Sequence, residues 1–179
     1  MSGYRRIAEA FHQRIDCIVG AVDAAAPGIE AGAALLTEAA LRDGKILICG
    51  TSCDAGLAQS LAECLRGAEA TAPALPALAI AHDDIPRRDS VLWRDLRLLA
   101  RDGDVVVCLD STDGAATARA CAELAAERNL YLVTLSEPLG SDHAGAIELA
   151  AATAELRREL MLMACHCLQS EIRHLLMGD

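Results

Sequence analysis

Aromatic side chains are nearly absent from this 179-residue chain, with one Trp, two Tyr and one Phe making 2% of it. A core must therefore come from Ala, Leu, Ile and Val, which the 53% hydrophobic content supplies. The length suits one domain spanning residues 1–179 with a substantial core. Basic residues are also few, Lys plus Arg 16 against Asp plus Glu 26, for a net charge of −10. Holding a polyanion needs clustered Lys and Arg, so direct nucleic-acid binding is not expected. No run reaches the roughly 18 apolar residues of a membrane span, so no membrane association is expected either. The N-terminal MSGYRRIAEAF places charges where a secretion signal needs an apolar stretch, which points to a cytoplasmic protein.

The eight cysteines are scattered and form no C-x-x-C pair. Without a secretion signal, disulfides are not expected. Cys49 and Cys108 lie within apolar runs and read as small core residues. Cys165-His166-Cys167 has the look of a metal motif. On a helix, however, positions i and i+2 point in different directions, so core and interface packing is the favoured reading. No metal and no cofactor are expected.

Along the chain, residues 4–22 and 29–41 read as two amphipathic helices broken at Ala26-Pro27-Gly28, with Arg42-Asp43-Gly44 closing the second. The pattern then changes to short apolar runs alternating with helices. Strands are expected at 45–50, 75–80, 104–109 and 130–135, with a short fifth at 147–149. Helices are expected at 55–66, 90–100, 115–128 and 154–177. Strands that are apolar throughout and separated by helices imply a parallel sheet covered on both faces. Right-handed crossovers make this a three-layer α/β/α sandwich. We expect a five-stranded parallel sheet in the flavodoxin-like order 2-1-3-4-5, with residues 1–43 as oligomer-packing helices and 44–179 as the α/β core. The first helices and the last are more apolar than a monomer's outer layer, which predicts a homo-oligomer, dimer or tetramer.

Ligands in such folds bind beyond the carboxyl ends of the strands. Lys45–Asp54, KILICGTSCD, is a strand running through Gly50 into a tight polar turn with a helix behind it. That layout aims backbone N–H groups and a helix N-terminus at an anion. The turn nevertheless carries Asp54, a carboxylate that repels phosphate.

KILICG, then DAGLAQSLAECL at 54–65, LPALAI, the start of the third strand at 103–107, and LYLVTL at 130–135 follow one another in order. Cys165-His166-Cys167-Leu168 and Leu175-Leu176-Met177-Gly178 come near the end. In that order and spacing they resemble the SIS (sugar isomerase) domain family, in the branch holding phosphoheptose isomerase and the DnaA initiator-associating protein. The resemblance implies that Thr51, Ser52, Cys53 and Asp54 stand in the first phosphate loop, Asp54 replacing the family's Ser. It implies that Asp110-Ser111-Thr112-Asp113-Gly114-Ala115 is the second phosphate loop. Shifting the match by one residue restores Ser111, Thr112 and Gly114 but leaves Asp113 in the cradle. An acid about 4 Å from a dianion, at an effective dielectric near 20, costs several kcal/mol. Two hydroxyl contacts of about 1 kcal/mol each do not offset that.

The family's general base is a Glu whose match here is Cys64. Glu63, one residue earlier, points about 100° away around the helix. The family's metal-binding His matches Ser60, whereas its acid/base His matches His166. The segment 82–91 is shorter than the family's by roughly two helical turns of chain. Isomerisation by proton transfer needs both a base and an acid.

Three readings follow. The first is a non-catalytic, oligomeric regulator that binds the replication initiator, as the resemblance implies, with Leu175, Leu176 and Met177 as the docking tail. The second is a phosphoheptose (sedoheptulose 7-phosphate) isomerase, or a related enzyme binding a phosphosugar. The third is a sensor of an uncharged or cationic ligand drawn to Asp54, Asp110 and Asp113.

Overall fold

A computed structural model of the chain describes residues 3–67, 73–82, 90–140 and 143–178, leaving aside the side chains of Thr51 and His82. The expected family-loop shortening at 82–91 falls largely outside the described residues.

The chain opens with α1 (Gly3–Leu41) and continues through β1 (Ile46–Thr51), α2 (Ala55–Leu65), β2 (Ala77–His82), α3 (Val91–Leu99) and β3 (Val105–Asp110). It then runs through α4 (Ala116–Arg128), β4 (Tyr131–Ser136), β5 (Gly145–Glu148) and α5 (Ala154–Met177). The strands form one parallel sheet in the order β2-β1-β3-β4-β5. This is the expected order. Alternate strand side chains face opposite layers. Ile46, Ile48, Val105, Val107, Val133 and Leu135 pack with buried residues of α1, α2 and α5. Leu47, Cys49, Val106 and Cys108 pack with Trp93 and Leu96 of α3 and with Cys121 and Leu124 of α4. The two cysteines read as core residues are thus fully buried core residues.

The N-terminal pair of helices is a single helix, with Pro27 inside it. Proline removes one N–H from the ladder and is expected to break a helix. Here the adjacent Gly28 seats the helix directly on the sheet edge, where a Cβ at that position would lie 2.1 Å from the Ala146 carbonyl oxygen. Burial of Ala21, Ala25, Ala33, Leu36 and Ala39 along the same helix outweighs the lost bond. The first half of α1 carries Tyr4, Ile7, Phe11, Ile15, Val19 and Val22 exposed at helical spacing. By length and mean hydropathy α1 passes for a membrane span, although it packs against α5 and β5 and buries Ala21, Ala25, Ala33, Leu36 and Ala39.

At the amino end of the sheet, the buried Asp104 carboxylate accepts from Lys45 N and Arg101 N, both at 2.8 Å, and from Lys45 Nζ at 2.7 Å. Burial pushes its pKa up. The Lys45 ammonium and backbone bonds and the Arg101 N–H outweigh that and hold the carboxyl below its ordinary 3.8. A depressed folded value means the contribution is full above about 3.8 and is lost as pH falls through the lower folded value. Asp104→Asn is therefore expected to melt lower than wild type at pH 7, with the gap closing below pH 4. Melts recorded across pH check this, and a gap that widens on acidification contradicts it.

Candidate functional site

The sheet order makes β1 and β3 neighbours, so the turns leaving their carboxyl ends meet. The first turn is a short 3-10 segment, Ser52–Asp54, running into α2. It closes tightly because a Cβ on Gly50 would sit 2.5 Å from the Asp54 carbonyl oxygen, so only glycine allows that approach. Ser52 holds a left-handed φ of 49° and is exposed. Thr51 ends β1, and its side chain lies outside the described set. Asp54 points inward and is fully buried.

The second turn, between β3 and α4, brings the donors. Ser111 N donates to Asp54 Oδ2 at 2.8 Å, and Ser111 Oγ lies 2.8 and 2.9 Å from the two carboxylate oxygens. Asp110 is also fully buried. Its Oδ1 accepts from Thr112 N at 3.1 Å and from Thr112 Oγ1 at 2.6 Å. Its Oδ2 accepts from Thr117 N at 2.8 Å and Ala118 N at 3.2 Å, so this carboxylate caps the N-terminus of α4. Gly114 N donates to Glu137 Oε1 at 2.6 Å. Ala115 holds a left-handed φ of 42°, a strained value for a residue with a Cβ. Capping by Asp110 on both sides of it keeps the loop in that shape.

Two consecutive arginines on the first turns of α5 complete the site. Successive helical residues point about 100° apart, and each reaches a different loop. Arg157 is buried. It donates through Nη1 to the Ser111 carbonyl at 2.7 Å and to Asp113 Oδ1 at 3.1 Å, and through Nη2 to the Ala151 carbonyl at 3.3 Å. Its Nη2 also lies 3.5 Å from Glu137. Arg158 Nε donates to Asp54 Oδ1 at 3.2 Å, and its Nη2 reaches Ser111 Oγ at 3.2 Å and Cys53 Sγ at 2.9 Å.

This arrangement corrects the sequence reading of the acids. Asp54 and Asp113 do not present bare charge to a ligand, because each is paired with an arginine. Asp113, placed by sequence in the cradle, has its side chain 84% exposed on the outer face of the loop. The donors that would hold an anion already hold carboxylates of the chain itself. Arg157, Arg158, Glu137 and the capping role of Asp110 were not read from the sequence. Arg157-Arg158 is one of three Arg-Arg pairs in the chain, with Arg5-Arg6 and Arg87-Arg88, so the sequence did not single it out.

The candidate proton-transfer residues lie elsewhere. Cys64, on α2, is half-buried and lines a small cleft with Leu65, Leu75, Gln169, Ile172 and Leu176. Glu63 is exposed, with its carboxylate accepting from Gln59 at 3.3 Å. His166 is exposed on α5 rather than packed within the protomer. Of its two flanking cysteines, Cys167 is exposed and Cys165 is buried, its thiol pushed up to about 12 by burial and by nearby Cys64. Among the described residues, no hydrogen bond joins Cys64 to His166, and no group of His, Cys, Asp and Glu is arranged to hold a metal. Of the tail residues, Leu175 and Met177 are exposed, but Leu176 packs against the core.

An all-parallel sheet of this order, covered by helices on both faces, defines a doubly wound α/β/α protein, and its structural neighbours place it with the SIS sugar-isomerase fold. No family model matches the chain. A phosphoheptose isomerase of Halorhodospira halophila is 32% identical, covering 99% of this chain and 98% of the relative. One of Thiobacillus denitrificans is 30% identical, covering 97% and 96%. Among solved structures, phosphoheptose isomerase from Neisseria gonorrhoeae superposes with a TM-score of 0.77 at 21% identity, covering 96% of this chain and 99% of that one. The enzyme from Francisella tularensis gives 0.78 at 18% identity, covering 97% and 100%. The chain belongs to the phosphoheptose isomerase family, as a diverged member.

Proposed function

We propose that this family member is catalytically silent, an oligomeric cytoplasmic scaffold that acts through protein contacts rather than by isomerising a sugar phosphate. One observation carries this reading. Ser111, Thr112, Gly114, Thr117 and Ala118 all donate their backbone N–H groups to the chain's own Asp54, Asp110 and Glu137. A phosphate ester entering these turns has to displace carboxylates that are already ordered and paired. The position matching the family's general base holds Cys64, and a positioned base is worth on the order of 10²–10⁴ in rate. The exposed α1 stripe supports self-association of a single domain, dimer or tetramer. A replication initiator as partner rests only on the resemblance of the tail, and none of the relatives described above bears such a name. Its docking residues would be Leu175 and Met177, because Leu176 serves the core.

A second reading is sedoheptulose 7-phosphate isomerase. It is favoured by the end-to-end match to proteins of that name and by the retained His166, and on the names of relatives it is the better supported of the two. Turnover separates them. The silent reading expects no conversion of sedoheptulose 7-phosphate above the uncatalysed rate. Conversion at an enzyme-like rate that is lost on His166→Ala establishes the isomerase. For the partner, capture of the initiator by wild type that weakens with Leu175→Ala plus Met177→Ala supports the scaffold role. Undiminished capture removes the tail from it.

A further inference from the structure

We propose that Asp54 is a resident pseudo-ligand seated on an oxyanion site formed by Ser111 and Arg158, and that Arg158 is the cation that recognises the anion there. This rests on the reading above that the cradle is filled by the chain itself, and deepens it by assigning the chemistry of the filled site. The carboxylate group of Asp54 is held as a bound anion is held. A backbone N–H at 2.8 Å and a hydroxyl at 2.8 and 2.9 Å come from one side. A guanidinium at 3.2 Å comes from the other. The Asp54 side chain is 1% exposed, so none of its polar capacity is spent on water. Arg158 Nη2 also reaches Ser111 Oγ at 3.2 Å, which orients the hydroxyl toward the carboxylate.

Nothing in ordinary core packing requires this arrangement. A buried ion pair contributes little net stability compared with apolar residues of the same volume, and Arg158 crosses 104 positions of sequence to reach Asp54. The donors are those a phosphomonoester uses: an N–H, a hydroxyl and a guanidinium converging on one point. The Arg158 side chain is 33% exposed and Cys53 is exposed, so the site lies one side chain below solvent. A tethered anion competes at an effective concentration far above millimolar free phosphate. The wild-type site is therefore closed to anions while the recognition group persists beneath Asp54. Shortening Asp54 vacates the site and leaves Ser111 and Arg158 to bind inorganic phosphate, the simplest member of the class.

The test is thermal unfolding of the full chain in 20 mM phosphate against chloride of matched ionic strength. Wild type is expected to melt equally in both. Asp54→Ser and Asp54→Ala are each expected to gain roughly 4 °C in phosphate, by mass-action stabilisation of the folded state. Adding Arg158→Met to Asp54→Ser is expected to abolish that gain. If neither single variant folds in chloride, phosphate is expected to restore a cooperative transition. A folded Asp54 variant that ignores phosphate, or unfolded ones that phosphate does not rescue, overturns the proposal. A gain that survives Arg158→Met removes Arg158 from the site, and a phosphate response by wild type shows that Asp54 does not fill it. These outcomes are independent of turnover. The silent reading fails by sugar-phosphate conversion in wild type, whereas this one fails by phosphate indifference in the variants.

Discussion

Asp110→Ala is expected to lower the melting temperature by roughly 10 °C. The Asp110 carboxylate is fully buried and serves Thr112 N, Thr112 Oγ1, Thr117 N and Ala118 N together. Truncation leaves those donors unsatisfied next to a helix N-terminus, in a place where water cannot readily replace the acceptor. An orphaned buried donor costs about 1–3 kcal/mol, and the loss of a helix cap about 1 kcal/mol. These terms overlap, so a total of about 3 kcal/mol is a fair expectation, which at this chain length corresponds to roughly 10 °C. Asp110→Asn keeps one acceptor oxygen and is expected to fall between alanine and wild type. The left-handed Ala115 should lose its support as well, so hydrogen exchange at the start of α4 is expected to rise in the alanine variant. A melt within 2 °C of wild type would show that the loop holds its shape by other means.

The second large effect concerns Arg158. Arg158→Met removes the only cation that the structure pairs, among the described residues, with the Asp54 carboxylate. Breaking one side of a buried pair costs about 3–5 kcal/mol. Arg158 is a third exposed and Ser111 continues to serve the carboxylate, so a discounted loss of about 2 kcal/mol is expected, roughly 6 °C. Combined with Asp54→Ser, the methionine should cost much less, because no buried charge remains to be orphaned. The double-mutant cycle in denaturant is therefore expected to show a coupling above about 1 kcal/mol. Strict additivity would mean that the two side chains meet without depending on each other.

Much of the fold was legible because its strands carry their signal locally. The expected strand 104–109, DVVVCL, is apolar after its first residue and entered from Asp102-Gly103, and β3 occupies 105–110 with every residue buried. Strand ends were one or two residues off where a polar residue extends the ladder, as Ser136 does opposite Glu148 in β5. The break expected at Pro27 was misplaced because the proline's local penalty is visible in sequence, whereas the glycine contact with β5 that outweighs it is not. The candidate site was half legible. The two turns and their acids were found, since glycine and short polar residues mark them. The partners of those acids were not legible, because a carboxylate's sign is local but its partners are not. Asp54 meets Ser111 across 57 positions and Arg158 across 104. Only the β1–β3 adjacency and the docking of α5 bring those groups together. For His166, sequence favoured core or interface packing, and the residue is exposed in the protomer, which leaves the interface part of that expectation open to test.

The proposal that the chain has internalised its own anion rests on Asp54 being held by Ser111 and Arg158. The most direct measurement is a titration of wild-type protein with sedoheptulose 7-phosphate, following the backbone amide of Ser111 by NMR. That N–H is expected to stay on Asp54, with no saturable shift up to several millimolar ketose phosphate. A saturable shift of the Ser111 amide, accompanied by conversion of the sugar, would contradict the account.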